Sequence, residues 1–503
     1  MKNFRELIWR IPLAILGGLS GLYAFPTENL WGFGFAIPLL ISLAVMGTGF
    51  WFATLLGFIA AMVFYISHIE WISLYLGPVP LIALATLQSL IFAPAIGAIA
   101  LLYKRVQRLR FGSALYAFGF ASIWVAREWV SNNFPYGGFP WSRLAMTAAE
   151  SPLVNWVFWG GLSLLSFVMA LLAGALSFEI KRFTKRGARR LILPAVLTLA
   201  AFAFPIITPL QNGSVSVGDL RVAAVQGNAK AGLFSREPQG TILNNHLDAT
   251  YQAVADQEVD LIVWPENASD VDPLRSADAR ERIEAVSSKY GADFVFGTIT
   301  VRGDEYFNST VYWQPGVGPS DYYDKKRPVP FAEYVPDRDF WRSLAPELID
   351  MVPKGYSFGN RDGIYQLSTS VAGTLICFEI AEDDIPRDLA SQGAQLILSQ
   401  TNNADFGYSD ETWQQSAIAK LRAIETGRTV VNISTVGHSA IYRFDGSIQS
   451  ELPWYTAGAM VESVELREGI TPAVALGGWL DLINSLMAMS FIAFSLGVGR
   501  SRK

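Results

Sequence analysis

The stretch Val371-Ala372-Gly373-Thr374-Leu375-Ile376-Cys377-Phe378-Glu379, followed by Glu382-Asp383-Asp384, decides how this chain is read. A continuous apolar run rich in β-branched residues is the pattern of a strand buried on both faces. The spacing predicts a strand over 371–378 that runs into an acidic segment able to open a helix. A nucleophile at such a strand-to-helix turn is exposed and lies near backbone N–H groups. A lone cysteine on an apolar strand is also an ordinary small core residue, so Cys377 gains meaning only from its company.

Working outward, similar short runs lie at 220–226, 261–264, 294–299, 310–313, 396–399 and 429–433, often bounded by Gly, Asn or Pro. Between them, 241–256, 277–290 and 412–426 place apolar residues at helical spacing. Such alternation predicts an α/β domain with sheets covered by helices, spanning 218–470.

Further out, the character changes. The chain has 503 residues, 51% hydrophobic, 13% aromatic and only 17% charged, which excludes an ordinary cytosolic enzyme. The apolarity collects before about residue 210 and after about 474. Helical segments long enough for a hydrocarbon core are expected near 9–25, 30–47, 50–69, 79–103, 112–130, 153–178, 190–208 and 476–498, about eight in all. The expected organisation is therefore 1–210 a transmembrane bundle of about seven helices, 218–470 the α/β domain, and 474–503 a last helix with a basic tail.

Lys2, Arg5 and Arg10, the Lys104–Arg110 cluster, the clusters from Lys181 to Arg190, and Arg500, Arg502 and Lys503 mark cytoplasmic ends. One helix separates Arg190 from the polar domain, which is therefore expected outside. A net charge of −5 excludes nucleic acid as a partner. The single cysteine excludes an intramolecular disulfide, and three scattered histidines argue against a metal site. No cofactor is expected.

Two further sites accompany Cys377. Glu266, in Trp264-Pro265-Glu266-Asn267, follows a predicted strand, where open α/β sheets hold their sites; a helix cap or solvated turn is the plainer reading. Lys325 lies in Tyr322-Tyr323-Asp324-Lys325-Lys326-Arg327-Pro328-Val329-Pro330-Phe331-Ala332-Glu333-Tyr334-Val335-Pro336, whose prolines exclude a regular helix. Taken alone, that basic run reads as solvated surface.

Together, the order Glu, Lys, Cys in these contexts resembles the nitrilase superfamily over about 220–466. With the membrane segments, and with Arg127-Glu128-Trp129 and Gly138-Phe139-Pro140-Trp141, nearly the whole chain resembles the bacterial apolipoprotein N-acyltransferases. The resemblance implies a nitrilase-like αββα sandwich inserted in a bundle of about eight transmembrane helices. It also implies a multi-pass protein of the bacterial inner membrane, with the catalytic domain on the periplasmic side.

The implied reaction moves a fatty acyl chain from a phospholipid to Cys377 as a thioester, then to the N-terminal amine of a diacylglyceryl-cysteine lipoprotein. Glu266 would be the base and Lys325 the oxyanion partner. Glu333 would hold Lys325, and Glu379 matches the acidic residue after the nucleophile. The chain departs from the family at Phe378, where a tyrosine is expected. Arg127 and Arg143, in the outer loop with Trp141, are candidates for lipid phosphate, and ion pairing with Glu128 is the competing account. Phe340 and Trp341, in a long loop reaching to Met351, are candidates for a lid at the interface, and an amphipathic helix packed on the domain is the competing account. A monomer is expected. A membrane-tethered amidase or hydrolase with water as acceptor is the alternative. A transporter is disfavoured because charges within the spans are few and lie near their ends.

Overall fold

The computed structural model describes residues 2–497 except 187–190, 209, 211–212, 232–236 and 353–354. The basic residues Arg189, Arg190, Arg500, Arg502 and Lys503 lie outside the described residues. The chain forms two compact units: one holds Met1–Pro209 and Leu476–Lys503, the other Leu210–Ala475.

The first unit is helical: α1 (Lys2–Ala24), α2 (Gly32–Val45), α3 (Phe50–His68), α4 (Pro78–Val106), α5 (Gly112–Asn133), α6 (Trp156–Arg186), α7 (Ile192–Ile207), and a terminal helix Trp479–Leu496. By length and composition, Phe50–His68, Pro78–Val106, Trp156–Arg182 and Trp479–Leu496 can each cross a membrane. Three apolar helices, Ile8–Ala24, Gly32–Val45 and Ile192–Ile207, are shorter. Helix α5 is 22 residues long and carries Arg127 and Glu128. Small buried residues such as Ala53, Ala60 and Ala61 line the helix contacts, as close packing without a hydrophobic drive requires. Helix α6 breaks at Gly160-Gly161, where Gly161 takes φ +66°, a conformation that a side chain would penalise.

The second unit is an αββα sandwich. Its first sheet has the order β12-β1-β2-β3-β4-β5 and its second β11-β10-β9-β8-β7-β6. The strands of the first are β1 (Val215–Gln226), β2 (Leu261–Val263), β3 (Asp293–Arg302), β4 (Glu305–Gln314), β5 (Gly318–Asp324) and β12 (Gly458–Glu468). The second comprises β6 (Ile364–Gln366), β7 (Val371–Ile376), β8 (Leu396–Thr401), β9 (Thr429–Ser434), β10 (Ser439–Tyr442) and β11 (Ile448–Leu452). β1, β2 and β3 run parallel, as do β7, β8 and β9.

Between the sheets, Leu220, Val222, Val263 and Val295 meet Ala372, Ile376, Leu398, Val431 and Ile433. On the outer face of the first sheet, Ile262, Trp264, Phe294 and Phe296 pack against Leu243 and Leu247 of α8 (Thr241–Val254) and Ile283 and Val286 of α9 (Ala277–Tyr290). This burial on both faces explains why the central strands read as continuous apolar runs. The start of α9 is capped by Ser276, whose side chain accepts from Ala279 N–H.

Three expectations are corrected in detail. β1 begins at Val215, ahead of the boundary at 218, because it pairs with β12 from that residue. β7 ends at Ile376, and Cys377 opens a short 3-10 turn, Cys377–Ala381, before α11 (Asp384–Ser391). The segment after Asp337 is not one long loop, since it forms α10 (Arg338–Leu344) and a helical turn Pro346–Ile349. Arg342 and Asp350 pair at 2.8 Å and stitch the two together.

Candidate active site

Glu266 stands beyond the end of β2. Trp264 N–H donates to Val295 O at 2.9 Å and Gly297 N–H to Pro265 O at 3.1 Å, laying the Trp264-Pro265-Glu266 stretch onto β3. A Cβ at residue 297 would lie 2.5 Å from Pro265 O and 2.6 Å from Glu266 Cα, so the approach requires glycine. The amide of Gln400 in β8 donates to Trp264 O at 2.6 Å from the other sheet.

Lys325 follows β5 and is 1% exposed. Its N–H donates to Asn308 O at 2.8 Å. Its Nζ lies 2.9 Å from Glu333 Oε2 and 3.5 Å from Glu266 Oε1. Asn308, in β4, donates from Nδ2 to Glu266 Oε1 at 2.6 Å and to Glu333 Oε1 at 2.8 Å. Glu333 Oε2 also accepts Val329 N–H at 2.7 Å. The proline-bearing loop is thus folded back on Lys325.

Cys377 is half-buried, with φ +52°. A non-glycine residue held there costs about 1–3 kcal/mol, so its surroundings must over-determine it. Glu379 supplies much of that restraint. Its buried carboxyl accepts Ile376 N–H at 2.8 Å, Lys326 N–H at 2.8 Å, Arg327 N–H at 3.1 Å and the Tyr323 hydroxyl at 2.9 Å. Behind the turn, the buried guanidinium of Arg422 donates to the carbonyls of Ile380 and Ala381 at 2.9 and 2.7 Å. The Glu266 carboxyl and the Lys325 ammonium both act on the Cys377 thiol, and Gln415 Nε2 donates to Sγ at 3.6 Å.

The electrostatics follow from this crowding. Burial pushes the Cys377 thiol well above its ordinary value, Glu266 adds to the rise, and Lys325 opposes it. Burial likewise raises the Glu266 carboxyl against the pull of Lys325. Burial works against the Lys325 ammonium too, yet Glu333 and Glu266 outweigh it and hold its pKa well above that of a free lysine. A neutral thiol beside a carboxyl of raised basicity is poised for proton transfer. Among the described residues no His, Cys, Asp and Glu cluster is placed to hold a metal ion.

The structure therefore brings Glu266, Lys325, Cys377, Glu333 and Glu379 together. Phe378 is half-buried beside Cys377. In α10, Phe340 is 58% exposed, while Trp341 packs edge-on against Phe331 with ring centroids 5.4 Å apart. Arg127, Trp141 and Arg143 belong to the helical unit, and all three are buried. Arg127 sits in α5 rather than in a loop, because the helix continues to Asn133. It lies 3.4 Å from Glu128, and Arg143 lies 3.9 Å from the same carboxylate and donates to Ser163 at 2.6 Å. Trp141 packs edge-on against Trp71.

Asn308, Gln415, Asn403 and Glu411 were not legible as site residues. Asn308 left one signal, an amide that opens the buried run Asn308–Trp313 of its strand.

Residues 221–470 match the carbon-nitrogen hydrolase family, and residues 17–175 match the apolipoprotein N-acyltransferase N-terminal domain. The chain is 31% identical to an apolipoprotein N-acyltransferase of Mycolicibacterium smegmatis over 96% of its own length and 84% of the relative's. It is 27% identical to one of Shewanella oneidensis, over 96% and 95%. Among solved structures, a double mutant of the amidase from Nesterenkonia sp. AN1 matches with a TM-score of 0.38 at 17% identity, covering 49% of this chain and 90% of that one.

Proposed function

The chain belongs to the apolipoprotein N-acyltransferase family, and on that premise we propose how its pocket works. The protein is a membrane acyltransferase that N-acylates lipoproteins, and it does so in two half-reactions through Cys377, Glu266 and Lys325. The observation that carries this reading is the convergence of a carboxyl, an ammonium and the chain's one thiol: Lys325 Nζ is 3.5 Å from Glu266 Oε1, and both groups act on the buried Cys377 thiol.

In the first half-reaction, Glu266 takes the Sγ proton as sulfur attacks the ester carbonyl of a phospholipid. Lys325 faces the developing oxyanion, a donor worth about 3–4 kcal/mol in such a site. Collapse breaks the C–O bond, and the lysophospholipid leaves with the proton that Glu266 held. In the second, the α-amine of a diacylglyceryl-cysteine attacks the thioester, which yields to amines more readily than an ester. The C–N bond forms, the C–S bond breaks, and the amine proton returns through Glu266 to sulfur.

Glu333 and Asn308 hold Lys325 and Glu266 at fixed separation, so this electrostatic help is organised before substrate arrives. The basic clusters favour a catalytic domain on the periplasmic face of the inner membrane. A single chain supplies every group the mechanism uses, which favours a working monomer.

The test is to incubate wild type and C377S with phospholipid and seek a fatty acyl adduct by mass spectrometry. The wild type acquires one acyl chain and C377S none. Adding a diacylglyceryl peptide then discharges the adduct as an N-acyl product. A wild type that forms no adduct removes the mechanism, and release of free fatty acid without amide would make the enzyme a hydrolase.

A further inference from the structure

Behind Cys377, on the side of the second sheet, lies a chain of amides and hydroxyls that the mechanism above does not use. It begins at Gly437, whose N–H donates to Ser434 Oγ at 2.9 Å. With that oxygen engaged as acceptor, the Ser434 hydroxyl donates to Asn403 Oδ1. The Thr401 hydroxyl donates to the same Oδ1 at 3.2 Å. Two donors on one oxygen fix which way the Asn403 amide faces. Its Nδ2 accordingly donates to Glu411 Oε2 at 2.7 Å and Gln415 Oε1 at 2.8 Å.

Glu411 and Gln415 sit one turn apart on α12 (Glu411–Thr426), so both present to one side of that helix. With Oε1 of Gln415 occupied, its Nε2 faces Cys377 Sγ at 3.6 Å. Every link donates in one direction, from a backbone amide toward sulfur, and donors so aligned polarise one another. Asn403, Glu411 and Gln415 are 3%, 2% and 1% exposed, so water does not compete for these bonds.

We propose that Gln415 is a further catalytic residue that stabilises the Cys377 thiolate by donating its amide N–H to sulfur, with Asn403 and Glu411 as positioning residues that fix the orientation of that amide. The inference rests on Cys377 being the nucleophile. A thiolate is needed twice: when the proton leaves sulfur for Glu266 before attack, and when sulfur departs from the thioester as the amine adds. Lys325 cannot serve both needs fully, because it is held by Glu333 and faces the acyl oxygen. Burial and the carboxyls of Glu266, Glu411 and Glu333 all oppose a charge on sulfur, which leaves a donor on its far side to offset them. A neutral thioester sulfur gains little from the same donor, so the contact favours thiolate over both resting states.

Cys377 is the chain's one cysteine, so alkylation of the full-length protein in detergent reads a single thiol. The experiment measures the rate of alkylation by iodoacetamide against pH for wild type, Q415L and N403L, with thermal midpoints alongside. In Q415L the midpoint of the pH profile moves up by about one unit, a tenfold loss of thiolate at a given pH, while N403L moves it less. Q415M, unbranched and close in shape to glutamine, repeats the test if Q415L does not fold. A profile unchanged in Q415L or Q415M overturns the inference, including the case where only the thermal midpoint falls. Because this assay needs neither phospholipid nor lipoprotein, its outcome stands apart from the acyl-adduct test. A wild type without adduct would remove the acyl mechanism, whereas an unmoved alkylation profile would remove Gln415 alone.

Discussion

Two regions of the molecule bury charge, and they do it differently. In the helical unit, the Glu128 carboxylate accepts Trp124 Nε1–H at 3.1 Å and Leu144 N–H at 2.9 Å, with Arg127 at 3.4 Å and Arg143 at 3.9 Å. Arg143 donates to Ser163, and Ser163 donates to the carboxylate of Asp481. Among the described contacts, two guanidiniums, Arg127 and Arg143, are set against the Glu128 and Asp481 carboxyls. In the sandwich, the groups acting on the Cys377 sulfur are Lys325 on one side and Glu266, Glu411 and Glu333 on the other. That imbalance is relieved by protons held on carboxyl and thiol. A balanced buried cluster fixes a shape, whereas an unbalanced one keeps protons available to be moved.

The contrast breaks most easily at its two cations. Lys325→Met is expected to slow acyl-enzyme formation by on the order of 10²–10³-fold and to lower the thermal midpoint as well, since it leaves the buried Glu266 and Glu333 carboxyls without their cation. Arg143→Met is expected to cost about 1.5–3 kcal/mol of stability, because it removes one of the two guanidiniums beside the buried Glu128 and the bond to Ser163 while Arg127 stays at 3.4 Å, and the rate per folded molecule holds. Parallel melting and single-turnover measurements decide, and a fast, unstable Lys325 variant or a slow, stable Arg143 variant would invert the comparison.

A smaller effect is expected at Gly297. Its substitution by alanine pushes the Glu266 backbone away from β3, and a displacement approaching an ångström costs up to about 10²-fold in rate. The same change perturbs one loop of the fold, so melting should shift by only a few degrees. Loss of stability without loss of rate would show that Glu266 tolerates movement.

The smallest effect sharpens the role of charge balance. Burial raises the Glu411 carboxyl to about 8, well above its ordinary value. It is therefore mainly neutral at pH 7 and becomes a carboxylate as pH passes about 8, adding negative charge beside Glu266 and the sulfur. Acyl-enzyme formation by the wild type should decline by several-fold on that alkaline side. Glu411→Gln keeps an acceptor for Asn403 and removes the ionisation, so its alkaline decline should flatten. An unchanged pH profile would mean that Glu411 does not act on the sulfur electrostatically.

Glu266, Lys325 and Cys377 were legible because each sits in a local string at a strand end. Gln415, Asn403 and Glu411 were not, since amides on a helix and after a strand carry no local signature. They reach the sulfur only through the adjacency of β7, β8 and β9. The central strands stood out because both faces are buried, whereas β11, at a sheet edge with half-exposed residues, shows no such run. The turn at Cys377 cut β7 short of Phe378 because a carboxylate two residues on outcompetes the ladder for Ile376 N–H. Helix α10 stood undecided between loop and amphipathic helix because it buries none of its residues, so no apolar stripe betrays it.

The Glu379 carboxyl joins Ile376, at the end of one sheet, to Lys326 and Arg327, which follow the last strand of the other. It acts as a rivet through both plates of the sandwich. The stretch formed by α10 and the helical turn Pro346–Ile349 hangs outside that rivet, whereas Glu333 before it and β6 after it are tied to Lys325 and to β7. Natural variation can therefore lengthen, shorten or re-grease this hinge-side flap to suit different lipids, while the spacing of lysine and sulfur stays put.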